Sequence, residues 1–238
     1  MKILVYAFIL LIASSGHTAG GTVGNGGFIF YCSNSYRVVS LDYILAKSFF
    51  GDKLKSSKVL NLDESLLRIS KLLKDKLPMW SHSFSIYINS LKNYSDYSQS
   101  NVWNEVGVNL PDIEDQELEY APNICQNQGQ GNLQQAILRV DHALSSGKHQ
   151  IIFNFDGNAL SALDGLQKSF IYVHEWLWSV STDVKLNRKI NYWLHSELFE
   201  KISTSDMVSV MLKYGIDTNS IKNSNLKKKK VHLNAKNK

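Results

Sequence analysis

The eleven residues Phe170 to Val180, FIYVHEWLWSV, set an adjacent histidine and glutamate inside an otherwise apolar and aromatic run. Such a run reads as helix with buried faces. A glutamate buried there in its charged form demands a partner, because an unpaired carboxylate is strongly disfavoured away from water. Arg188, on the helix expected to follow, is the candidate partner if the two helices pack antiparallel across a short turn.

The same pair opens a second possibility. Zinc hydrolases use H-E-x-x-H because residues at i and i+4 share a helix face, so two imidazoles reach one metal while the glutamate polarises a bound water. His174 and Glu175 are present, but Trp178 occupies the second histidine position and its indole binds no zinc. Any metal must therefore recruit ligands from His82, His142, His149, Asp183 or His195. Asp183 lies about 180° round an unbroken helix from His174, so it converges only if the helix breaks at Ser181 and Thr182. The sequence STD is suited to that break, as a capping signal. Arg188, Asn191 and His195 follow at helical spacing on one face; His195 is expected to look at solvent and Arg188 into a cleft beside Glu175.

The chain has 238 residues, of which 44% are hydrophobic, enough for a proper core and against disorder as its general state. Its beginning, MKILVYAFILLIASSGHTAG, has one lysine, an apolar run too short to span a bilayer comfortably, and then small residues. That is the layout of a secretory signal peptide, ending near Ala19, and no later stretch reads as a transmembrane helix. The formal charge of +5 is unevenly placed: segment 1–19 holds one lysine, and segment 218–238 holds seven lysines and no acid, leaving the body at −3. A mildly acidic body presents no specific nucleic-acid face, while the basic tail is suited to anionic surfaces or simply to solvent. The two cysteines, Cys32 and Cys125, permit one pairing in an oxidising compartment, and reactive thiols are the alternative.

Local patterns give the organisation. The glycines of GGTVGNGGFIFYC precede a strand instead of following one, which rules against a phosphate-cradling loop. Runs 28–32 and 37–39 read as a hairpin, and 133–140 with 150–155 as antiparallel strands. Helices are expected over 41–50, 62–77, 82–91, 159–180 and 184–202, with a short last one ending near Gly215. The resulting expectation is an α+β fold with a small, mainly antiparallel sheet and a C-terminal helical section. Its boundaries are a signal peptide at 1–19, one compact domain over 20–217 and a flexible lysine-rich tail over 218–238.

GNGG before a strand ending in Cys32, LDY at Leu41–Tyr43, a mid-chain Cys125, and HEW followed by Arg188 and Asn191 together resemble a family of uncharacterised secreted proteins of Bdellovibrio-type predatory bacteria. The likeness runs from about Gly24 to Ser196. It implies export, one compact domain and a Cys32–Cys125 bridge, and it suggests that the glycine loop and the helix pair belong to one site. It implies no particular activity or cofactor. Where the family pattern continues GNGG with an aspartate, this chain has Phe28.

These readings converge on an exported, disulfide-bridged protein, periplasmic or extracellular, that acts by binding a protein or envelope component without a cofactor. His174 and Glu175 are the candidate catalytic residues, with Arg188 and Asn191 as candidate substrate-binding residues. The alternative is an atypical hydrolase in which Glu175 is the general base and His174 the acid or a zinc ligand.

Overall fold

Six strands and eight helices are found among the residues that the computed structural model describes, which are 27–32, 37–51, 54, 61–106, 110, 125, 131–144 and 146–213. The expected signal peptide and lysine-rich tail lie outside them. Strands β1 (Phe28–Cys32), β2 (Arg37–Ser40) and β4 (Gly131–Gln135) form one antiparallel sheet in the order β2-β1-β4. Strands β3 (Asn101–Glu105), β5 (Ile137–Ala143) and β6 (His149–Phe155) form a second, in the order β3-β6-β5. There β5 and β6 pair antiparallel and β3 and β6 parallel. The α+β class and the mainly antiparallel pairing are thus as expected, but the strands divide into two sheets.

The division happens at one residue. The run expected as a single strand over 133–140 is interrupted at Ala136, whose N–H donates to the Gly27 carbonyl and whose carbonyl accepts from Asp156 N–H. Ala136 is fully buried, and the chain passes there from one sheet to the other.

Helix boundaries follow the capping chemistry. Ser40 caps α1 (Leu41–Phe50), which stops at Gly51 in a positive-φ conformation. Asn61 caps α2 (Leu62–Lys76), whose buried stripe of Leu66, Ile69 and Leu73 has helical spacing; Pro78 then opens α3 (Pro78–Ser90). The helix expected over 159–180 is two, α4 (Gly157–Ser161) and α5 (Gly165–Leu177), because Asp156 and Asp164 each cap a separate start. The expected break at STD is present, with Asp183 as the N-cap of α6 (Val184–Leu194). The helix expected over 184–202 breaks again before α7 (Glu197–Lys201), where Arg68 of α2 donates to the carbonyls of Leu194 and Ser196. The last helix, α8, spans Met207–Lys213.

Helix α5 is the axis of the arrangement: every residue from Ser169 to Leu177 is buried. It packs against α1, α2, α6 and β2. An aromatic group fills the space between α3, α5 and the second sheet. Trp103 stacks on Phe153 with centroids 4.2 Å apart, Tyr87 meets both edge-on, and Phe84 meets Trp176 at 4.7 Å. Lys76 is buried and donates to three carbonyls, Phe199, Glu200 and Ile202, at the end of α7, so its ammonium completes a helix C-terminus. Cys32 and Cys125 are disulfide-bonded, closing a separation of 93 residues. No helix among the described residues is long and apolar enough to cross a membrane.

Candidate functional site

Consecutive residues on a helix point about 100° apart, so His174 and Glu175 face different neighbours. His174 points toward α1 and α6. Its Nδ1 lies 2.6 Å from Asp42 Oδ2, which also accepts from Asn191 Nδ2 at 2.7 Å, while Arg188 Nε donates to Asp42 Oδ1 at 3.2 Å. An ionised carboxylate only accepts, which assigns the shared proton to His174 Nδ1. Burial opposes ionisation of Asp42, but the adjoining His174, the Arg188 charge and the Asn191 hydrogen bond outweigh it, bringing the carboxyl down to about 2. His174 Nε2 is buried and has no hydrogen-bond partner among the described residues.

The structure therefore brings His174, Arg188 and Asn191 together, around an acid that is not Glu175. The expected Arg188–Glu175 pair is not formed: both Glu175 oxygens are without a hydrogen-bond partner among the described residues, and Arg188 is matched to Asp42. The reason is position. Asp42 sits in the first turn of α1, beside α6, whereas Glu175 has turned toward the second sheet.

His195 also departs from expectation. It is 1% exposed, stacked on Phe170 with centroids 3.7 Å apart, with Nδ1 donating to the Asn191 carbonyl and Nε2 beside Ser169 Oγ. Burial pushes its pKa down to about 3, so the ring is neutral. The polar face of α6 is covered by α5, whose Phe170 carbonyl and Ser169 hydroxyl supply its partners. His82, His142 and His149 are exposed, and Asp183 caps α6. Among the described residues no three His, Cys, Asp or Glu side chains converge to hold a metal.

Glu175 faces a cleft of about 140 Å³ between α3, the end of α5 and the second sheet. The pairing register puts Trp103, Phe153 and Arg139 in one row across that sheet, and Asn101, Ile151 and Asp141 in another row on the same face. Arg139 thereby stands opposite Glu175, with Tyr87 and Trp176 as further walls and Ser83 and Ile86 at the exposed rim. Burial raises the Glu175 carboxyl to about 8 against the opposing pull of Arg139, with Asp42 adding to the rise. It is therefore a neutral acid at pH 7. The Tyr87 hydroxyl is likewise buried, unpartnered among the described residues and shifted upward, by burial first and Glu175 second.

The glycine loop reaches Glu175 at one described residue. Gly27 has φ +69°, and a Cβ on it would stand 3.0 Å from Ile137 Cβ and 3.2 Å from Glu175 Oε1. A side chain there would be strained by the positive φ and would crowd Ile137 and the carboxyl.

Asp42, Arg139 and Tyr87 are the residues that sequence reasoning did not place at a site. Asp42 entered only through the LDY resemblance, and an arginine alternating along a strand carries no local mark of burial. Comparisons with known proteins return nothing: no protein-family model, no curated protein and no solved structure matches this chain.

Proposed function

We propose that this chain is an exported binding protein that holds a small ligand in the cleft between α3, α5 and the β3-β6-β5 sheet. The observation that carries the reading is the Glu175 carboxyl, buried beside Arg139 with neither oxygen hydrogen-bonded among the described residues. A buried polar group without a partner costs about 1–3 kcal/mol, and a ligand that supplies the partner recovers that cost. The cleft is mostly apolar with a few convergent polar groups, the usual make-up of a small-molecule site. Asp42, His174, Arg188 and Asn191 then hold α1, α5 and α6 together and fix the helix that presents Glu175. Export is supported by the Cys32–Cys125 bridge and the leader-like first residues, and segment 218–238 supplies an electrostatic contact to an anionic envelope surface.

The test is chemical-shift mapping on the purified, oxidised protein with a set of small fragments of differing charge. Shifts concentrated at Trp176, Ser179, Arg139 and Ile151 support the reading. Shifts scattered over the surface, or unchanged when Ser83→Trp blocks the rim, reject it.

One observation favours a second reading, an atypical hydrolase in which Glu175, protonated at rest, first gives its proton and then, once ionised, acts as general base: a carboxyl raised to about 8 in a cleft is suited to proton transfer near neutral pH. Its metal-dependent form requires ligands beyond His174. Turnover of an ester or amide that vanishes in Glu175→Gln while fragment binding persists selects this reading over binding alone.

A further inference from the structure

We infer that the ligand is a compact carboxylate with an apolar body, a small aromatic or branched aliphatic acid whose carboxylate sits on Arg139. The inference rests on the binding reading above and adds the ligand's chemistry.

Charge is the first argument. Arg139 is 6% exposed, and no described side chain forms a hydrogen bond or ion pair with it. Among the described residues two acids lie near enough to act on it. Asp141 lies two residues along β5 and is engaged with His149 Nδ1 at 3.2 Å, and Glu175 is protonated at neutral pH. Among the described residues the guanidinium thus has no hydrogen-bonded counter-ion, a condition that favours an anion over a second cation in the cleft.

Hydrogen-bond capacity is the second. Around Arg139 stand a carboxylic acid and a phenol, each holding a proton to donate, and neither is used among the described residues. A carboxylate only accepts, at about four lone-pair sites, so it takes the guanidinium fork together with these two hydroxyls. A neutral alcohol or an amide leaves part of that set unpaired, and an ammonium leaves all of it unpaired.

Size and wall chemistry are the third. Ile86, Tyr87, Ile151, Phe153 and Trp176 give the cleft apolar sides. Its volume of about 140 Å³ is close to the roughly 150 Å³ of an engineered apolar cavity that binds benzene. One ring, or a short branched chain, fills it.

The experiment is titration calorimetry at pH 6.5 with benzoate, isovalerate, benzyl alcohol and benzylamine, repeated on Arg139→Met and Arg139→Lys. A charged hydrogen bond contributes about 1.5–3 kcal/mol, so benzoate is expected to bind about 10- to 100-fold more tightly than benzyl alcohol, with benzylamine weaker still. Arg139→Met should remove that preference by weakening benzoate far more than benzyl alcohol, while Arg139→Lys retains part of it. Benzyl alcohol binding as tightly as benzoate, or benzylamine binding best, overturns the carboxylate inference and leaves the cleft reading standing. If none of the four binds and none moves the Trp176 indole resonance, the cleft reading fails as well. Should Arg139→Met not fold, the preference in the unmodified protein and its change in Arg139→Lys decide the matter.

Discussion

His174 of α5 donates from Nδ1 to Asp42 of α1 across 2.6 Å, and both side chains are buried. Asn191 and Arg188 of α6 complete the same carboxylate, so one acid ties three helices that meet from distant parts of the chain. This knot lies on a different face of α5 from the one that presents Glu175 to the cleft.

Replacing Asp42 by Asn keeps the shape and removes the charge. Arg188 and His174 then lose the Asp42 carboxylate, at a cost of up to about 3–5 kcal/mol. Urea denaturation should show the midpoint falling with the slope unchanged. A loss below about 1 kcal/mol would mean that the network adds little to stability.

Glu175→Gln should stabilise the protein, and increasingly so as pH rises. The Glu175 carboxyl has its folded pKa raised from 4.5 to about 8, so the folded state holds a proton that the unfolded state releases. That contribution is complete below about pH 4.5 and is lost as pH climbs through about 8, at up to about 1.4 kcal/mol per unit. Between pH 5 and pH 7.5 the variant should therefore gain on the parent, by roughly 2–3 kcal/mol in total. Denaturation curves that keep a constant separation across this range would refute the shift.

His195 imposes the opposite slope. Its folded pKa is depressed from 6.5 to about 3, so below pH 6.5 the unfolded state takes up a proton that the folded state refuses. Stability should fall as pH drops from 6.5 toward 3, and His195→Gln should flatten that part of the profile. Calorimetric melting between pH 3.5 and 6.5 reads the difference.

The disulfide joins β1 to Cys125 over 93 residues. Restricting so long a loop in the unfolded chain stabilises the fold by about 3–5 kcal/mol. The Cys32→Ser, Cys125→Ser double variant should lose about that much in equilibrium unfolding, and reducing agent should have no further effect on it.

Much of the fold is legible in short stretches of the chain. Asn61 with Asp63, Glu64 and the 66, 69, 73 stripe marks α2 through capping and periodicity alone, and Gly51 marks the end of α1. The STD break is readable because Asp183 can accept from two backbone N–H groups. Two cysteines leave no choice of pairing. What is not readable depends on contacts between distant segments. The parallel pairing of β3 with β6 has no turn to announce it, and Ala136 breaks a strand only because Gly27 and Asp156 claim its backbone. The same holds at the site. An aspartate in a first helical turn reads as a complement to the helix dipole, so Asp42 gives no sign of holding His174 and Arg188. His195 looks wet on a helical wheel, since periodicity groups residues on a face without saying what covers that face.

The most direct test of the account is the titration of the Glu175 side chain itself. In protein carrying ¹³C-labelled glutamate, with Glu175→Gln used to assign the resonance, the Glu175 carboxyl carbon should remain in its protonated position at pH 6.5. It should change with a midpoint near 8. A midpoint near 4.5 would show an ordinary hydrated carboxylate, and the cleft would lose the neutral acid on which its ligand chemistry depends.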